Sequence, residues 1–157
     1  MDDDAMTAPT SIGGLVVRHP TVLDEPVLTL LRAQNVCVLS TLGANGAIHS
    51  RPVWVDTDGE HVVVNSVEGR VWVRDLARDP SITCTVVNLA NPYEFVSIEG
   101  RLVERTDIGA AEHIDFLAQK YLGVDVYPFH SGAEPRLLFR IRPDRILHMA
   151  PEGAALQ

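Results

Sequence analysis

Apolar and polar positions change their period several times along the chain, and each period marks an element. Residues 1–20 hold no sustained pattern; Ala8-Pro9-Thr10 and Gly13-Gly14 interrupt it, and the stretch reads as a frayed tail. Leu23, Val27, Leu30 and Leu31 then share one face of a short helix, with Asp24 as its cap and Pro26 in its first turn. Helical signals end at Asn35. The run Val36 to Leu42 predicts a strand, Gly43 to Gly46 a turn with Asn-Gly at its end, Ile48 to Val55 a second strand, and His61 to Asn65 a third. A helix is expected from about Gly69 to Arg78, stopped by Pro80. Strands follow at Ser81 to Asn88 and Tyr93 to Glu104, around the turn at Asn91-Pro92. The clearest helix covers 107–122, with Thr106 as cap, Ile108, Ala111, Ile114, Leu117, Ala118, Tyr121 and Leu122 at helical spacing, and Gly123 at its end. A loop spans Val124 to Glu134, and Leu137 to Arg142 and Ile146 to Met149 predict two final short strands.

This is a mainly β (α+β) chain of six to seven short antiparallel strands with about three helices. Its spacing favours a barrel over a sandwich, and closure into a barrel removes sheet edges. One domain over residues 21–150 is expected, with tails at 1–20 and 151–157. The length of 157 residues suits a single core.

Composition narrows the function. A net charge of −8 repels a polyanion, which argues against nucleic acid as a partner. No apolar run approaches the roughly 20 residues that span a membrane, and the acidic start Met1-Asp2-Asp3-Asp4 lacks the layout of a secretory signal. A cytoplasmic protein without a membrane partner is expected. Cys37 and Cys84 each sit in an apolar strand-like run and read as buried thiols.

Motifs for serine hydrolysis, dinucleotide binding and the P-loop are missing. The six histidines show neither HxH nor HExxH spacing, so no metal site is expected. One feature is unusual. Arg70, Arg74 and Arg78 share a face of the second helix, and Arg70 stands at its N-terminus, where partial positive charge already gathers. An anion there would resolve the mismatch, bound by backbone N–H groups and guanidinium together. A solvated arginine stripe paired with Asp75 and Asp79 also accounts for the spacing. Just upstream, His49-Ser50-Arg51-Pro52-Val53-Trp54 puts a proline in a strand, which places that strand at an edge or against a ligand. Asn65-Ser66 ends the next strand in polar groups, with Ser66 a further choice of helix cap.

These residues carry a resemblance. Leu39 to Leu42, Asn45-Gly46, Ser50 to Trp54, Asn65-Ser66, Glu68-Gly69-Arg70, Arg74-Asp75-Leu76 and Arg78-Asp79-Pro80 resemble, in order and spacing, the pyridoxamine 5′-phosphate oxidase-like superfamily. Asn91-Pro92-Tyr93, Ile98 to Arg101 and Tyr121-Leu122-Gly123 extend the likeness to roughly residues 24–149. The chain looks most like the small deazaflavin (coenzyme F420)-dependent oxidoreductases of actinobacteria.

The resemblance implies a split β-barrel homodimer with its cofactor in a groove between subunits. The ring system would rest against Ser50, Arg51, Pro52, Val53 and Trp54. The phosphate would lie at Asn65, Ser66 and Arg70. Two positions depart from the family's pattern: Trp72 stands where a lysine is usual, and Asp75 where an asparagine is usual. Trp72 either stacks on the ring or packs helix against barrel. Tyr93 would line the substrate side. The function so implied is hydride transfer from coenzyme F420, or alternatively FMN, to an unsaturated small molecule, with no fixed catalytic acid or base. A carrier of a cofactor, haem or lipid-like ligand is the alternative on the same fold.

Overall fold

The computed structural model describes residues 8–130 and 134–153. Its first helix, α1 (Glu25–Arg32), begins where expected: Asp24 accepts a hydrogen bond from the Val27 N–H at 3.4 Å, and Pro26 occupies the first turn. It buries Val27, Leu28, Leu30 and Leu31. Asn35 follows, buried, its Nδ2 donating to the Leu30 carbonyl at 3.0 Å and its Oδ1 accepting from the Leu89 N–H at 2.9 Å. Those two bonds tie the exit of the helix to the sheet.

Among the described residues the sheet contains nine strands, where six to seven were expected, because residues 10–18 add a hairpin and Asp56–Thr57 pairs as a short strand while the last two expected strands merge. The first two are β1 (Thr10–Ile12) and β2 (Leu15–Arg18). β3 (Val36–Leu42), β4 (Ile48–Trp54), β5 (Asp56–Thr57) and β6 (Val62–Val67) follow α1. Helix α2 (Val71–Arg78), strands β7 (Ser81–Val87) and β8 (Phe95–Thr106), helix α3 (Ala110–Leu122) and strand β9 (Arg136–Pro151) complete the described chain. All pairings are antiparallel, and the main path runs β1-β2-β9-β8-β7-β3-β4. β6 pairs with the first half of β9 on the sheet's other side. β4 ends the path and has no ladder to β6, although the short β5 that continues it pairs with β6. The sheet therefore curls round, joins at the β5–β6 end and stays open between β4 and the far half of β6. This is a split barrel, mainly β with three helices.

Alternation sets which face is inside. On β3, Cys37, Leu39 and Thr41 are buried while Val36, Val38 and Leu42 face out. β6 is buried nearly throughout, since helices or strands cover both its faces. The core gathers α1, the inner sheet positions and Trp72, Val73 and Leu76 of α2.

Four sequence expectations change. Residues 10–18, read as tail, form a hairpin. Gly13 and Gly14 take φ of 58° and 83° and make its turn, and β2 then pairs with the last four residues of β9. Arg18 anchors it, with Nη1 on Asp24 at 2.8 Å and Nε donating to His148 Nδ1 at 3.1 Å. The two final strands are one, because Pro143 lies opposite Gly100 at a β-bulge, where the ladder needs no N–H. A Cβ at Gly100 would stand 2.3 Å from the Arg142 carbonyl oxygen, so only glycine admits that approach. Pro151 belongs to β9, which removes it from the expected C-terminal tail; residues 1–7 and 154–157 of the two tails lie outside the described residues. Thr106 ends β8 and accepts from the Ile108 N–H, and Gly109 caps α3 instead.

Candidate functional site

The opening between β4 and β6 is a pocket of about 620 Å³. Its walls come from five places: Arg51 to Trp54 of β4, Asn65 and Ser66 of β6, Gly69 to Trp72 at the start of α2, Ile114 and Leu117 of α3 with Tyr127 and Phe129 beyond it, and Arg136 of β9. Among the described residues three arginines line it and no aspartate or glutamate does, in a chain with 21 acidic residues and a net charge of −8. Such a concentration of cations in a concave site selects an anionic ligand.

β4 is the edge strand that its proline requires: Pro52 faces Val38 across one ladder and has no strand on its other side. Arg51 is exposed, with Nη1 on the Ser50 carbonyl at 2.8 Å. Val53 is half-buried and packs on the core. Trp54 lies parallel to Tyr121 of α3, ring centroids 5.2 Å apart, and meets Tyr127 edge-on at 6.0 Å. Tyr127 in turn meets Phe129 at 5.5 Å. One side of the pocket is thus an aromatic wall.

Gly69 takes φ of 85° and turns the chain from β6 into α2. Arg70 is the N-cap of that helix. Its side chain makes no capping bond, and the first turn holds no acid. The helix N-terminus, with its unmatched amides, and the Arg70 guanidinium both belong to the pocket wall. Ser66 is not a cap; it sits buried inside β6 opposite Leu137. The arginine stripe separates in function. Arg70 lines the pocket, Arg74 is exposed, and Arg78 donates to the Leu42 carbonyl.

Neither acid beside the stripe forms an ion pair with it. Asp79 accepts from the Ser81 N–H at 2.9 Å. Asp75 is buried away from the pocket, its Oδ2 bound by His49 Nδ1 at 2.6 Å and Thr41 Oγ1 at 2.8 Å. Burial opposes its charge, but the His49 and Thr41 bonds win and hold its carboxyl below the usual range. Asp75 therefore adds no negative charge to the pocket lining.

Trp72 is 4% exposed and meets Phe139 edge-on at 5.0 Å. It packs helix against barrel and forms part of the pocket wall at once. Two other expected site residues lie apart from the pocket lining. Ser50 shares a hydrogen bond with Ser40, Oγ to Oγ at 2.9 Å. Tyr93 is 72% exposed in the turn between β7 and β8. Its backbone N–H donates to Asn91 Oδ1 there, and Tyr93 is not among the residues that line the pocket.

Sequence reasoning missed Arg136, Tyr127, Phe129, Ile114 and Leu117 in the site. The α3 residues carried a core-face signal only. Tyr127 and Phe129 were visible as aromatics in a loop. Arg136 carried no local signal, because the long-range β6–β9 pairing is what brings it beside Asn65.

The fold is thus a split β-barrel with a cationic, aromatic-walled opening. The chain belongs to the pyridoxamine 5′-phosphate oxidase family, whose model matches residues 23–150. Against curated protein sequences it has no match. Among solved structures it is similar to an F420 reductase, at 19% identity and a TM-score of 0.68, covering 75% of this chain and 93% of that one. It is also similar to a putative pyridoxamine 5′-phosphate oxidase from Listeria innocua (21% identity, TM-score 0.58, 79% and 95% covered). A third is an FAD-binding protein from Mesorhizobium loti (17% identity, TM-score 0.59, 85% and 96% covered). These likenesses, all below 25% identity, are likenesses of fold. Among the described residues, no helix is long and apolar enough to cross a membrane.

Proposed function

We propose that the protein is an oxidoreductase that uses coenzyme F420, or alternatively FMN, to reduce an unsaturated small molecule, and that it works as a homodimer. The observation that carries this reading is the pocket's lining, which among the described residues has three arginines, no carboxylate and an aromatic wall. A phosphorylated, ring-bearing cofactor has matching chemistry, anionic at one end and flat and apolar at the other. Arg70 and the α2 N-terminus would hold the phosphate. Val53 and Trp54 would bear the ring. Arg51, exposed at the mouth, suits the acidic tail of the deazaflavin and ranks that coenzyme ahead of FMN.

When bound, such a cofactor supplies the hydride, and the protein binds, orients and shields it. Among the described residues the lining contains no histidine, lysine, cysteine or acid. Hydride transfer needs no fixed proton donor, so this lining suits it. A dimer is supported by the outer face of β3 and β4, where Val38 and Ile48 are 41% and 71% exposed beside an unpaired edge. The substrate, by this reading, enters beside the ring.

Titration of the purified protein with coenzyme F420 and with FMN, followed by fluorescence, tests the proposal. Micromolar binding of either, weakened in Arg70→Ala, is the expected result. Binding without reduction of any enone or quinone acceptor would favour the carrier reading. Binding of neither would overturn the proposal.

A further inference from the structure

Arg136 opens β9 opposite Val67 and lines the pocket with Arg70. Its guanidinium is half-buried and lies over the Tyr127 ring, Cζ 5.2 Å from the centroid. No carboxylate among the described residues forms an ion pair with it, whereas the half-buried Arg18 and Arg140, both away from the pocket, each have one, at 2.8 and 2.9 Å. Burial pushes the Arg136 pKa down, and the charge of Arg70 pushes it the same way. Two like charges, Arg136 half-buried and Arg70 exposed, face a pocket that no described carboxylate lines, and their repulsion is relieved when an anion joins them.

What holds Arg136 is a relay of polar groups. Its Nε donates to Asn65 Oδ1 at 2.8 Å. Asn65 Nδ2 donates to the Ala110 carbonyl at 2.9 Å and lies 3.1 Å from His113 Nδ1. The arginine and the carbonyl together fix which way the amide points. His113 Nδ1 is then an acceptor, its hydrogen sits on Nε2, and Nε2 faces Asp56 Oδ2 at 3.1 Å. The line Asp56–His113–Asn65–Arg136 crosses from β5 through α3 and β6 to β9. Both Asn65 amide hydrogens are engaged, so Asn65 has none left to offer an anion.

We propose that Arg136 is the second grip on the ligand's phosphate, partner to Arg70, and that Asn65 and His113 are positioning residues that aim it. Asn65 on this view does not bind the phosphate itself. The inference rests on the cofactor reading above and assigns the part of the site that the reading leaves open.

The test compares a phosphorylated ligand with its phosphate-free counterpart. FMN and riboflavin share a ring, so fluorescence titration of both isolates the phosphate. Where the wild type binds only the deazaflavin, coenzyme F420 and its phosphate-free chromophore replace them. Arg136→Gln is expected to bind FMN at least tenfold more weakly, with riboflavin within twofold of wild type. Arg136→Lys, which keeps the charge, recovers part of the loss. Asn65→Leu and His113→Leu lower FMN affinity by smaller factors in the same selective way. Thermal melts identify folded variants, and Arg136→Lys alone decides if Arg136→Gln does not fold: unchanged FMN binding in it overturns the aimed grip. Equal loss of FMN and riboflavin, or no loss of either, also overturns the inference while the cofactor reading stands. Wild-type protein that binds none of the four ligands overturns both.

Discussion

The rings of Trp54 and Tyr121 lie 5.2 Å apart and 6° from parallel, so the pocket's aromatic wall is braced by α3. The Tyr121 hydroxyl continues the brace. It donates to the Asn35 carbonyl at 2.5 Å and accepts from the Val55 N–H at 3.1 Å. Burial pushes the phenol pKa up to about 12, so the group stays protonated and able to donate. Tyr121→Phe keeps the stack and strands those two backbone groups. A stability loss of about 1–3 kcal/mol is expected, read from urea denaturation. A loss below about 0.5 kcal/mol would mean that water replaces the hydroxyl freely.

Asp75 ties α2 to β3 and β4 through His49 and Thr41. Its folded pKa lies below the 3.8 of the free side chain. A depressed carboxylate stabilises the fold above its unfolded pKa, and that contribution disappears as pH falls through the folded value. Wild type should therefore exceed Asp75→Asn in stability at pH 6, by about 1–3 kcal/mol, with the gap closing below about pH 4. Denaturation at a series of pH values checks this. A gap independent of pH would show that charge on Asp75 is not the cause.

Arg70 binds through charge at a helix N-terminus, so salt should screen it. Arg70→Ala is expected to weaken binding of FMN or coenzyme F420 by roughly tenfold or more, as for loss of a charge-assisted hydrogen bond. The wild-type dissociation constant should also rise between 50 and 500 mM salt more steeply than that of the variant. Parallel salt dependences would place the anion elsewhere.

The outer face of β3 presents Val36, Val38 and Leu42 to solvent, and the edge strand β4 beside it adds Ile48 and holds no lysine. A homodimer that covers this face is expected in solution. Ile48→Glu should shift sedimentation from dimer toward monomer and leave the melting temperature of the monomeric unit nearly unchanged. Wild-type protein that sediments as a monomer at tens of micromolar would contradict the dimer.

The elements that were legible in the sequence have local causes. Asp24 and Pro26 start α1 as their chemistry requires, and the alternation in Val36 to Leu42 gives β3 both of its faces. Pro52 pointed to a strand at an edge or against a ligand, and β4 is an edge strand. What escaped depends on partners far away in sequence. Gly13-Gly14 reads as a break until β9 supplies a strand for β2. Leu137 to Arg142 and Ile146 to Met149 read as two strands until the bulge at Gly100 accommodates Pro143 between them. In the site, Arg51, Pro52, Val53, Trp54, Asn65, Ser66, Arg70 and Trp72 come together in one pocket, because the two strands and the helix that carry them are consecutive. Arg136 was hidden because only strand pairing across 71 residues brings it to Asn65. Asp75 looked like a threat to an anion site, and the fold removes it by turning it toward His49 and Thr41.

The central claim is that the split between β4 and β6 holds a phosphorylated flavin-type cofactor. A crystal structure of the protein grown with saturating coenzyme F420, and another with FMN, tests it most directly. The expected density has a phosphate between Arg70 and Arg136 and a ring against Val53 and Trp54. An empty split in both crystals, or a ring bound outside it, would contradict the claim.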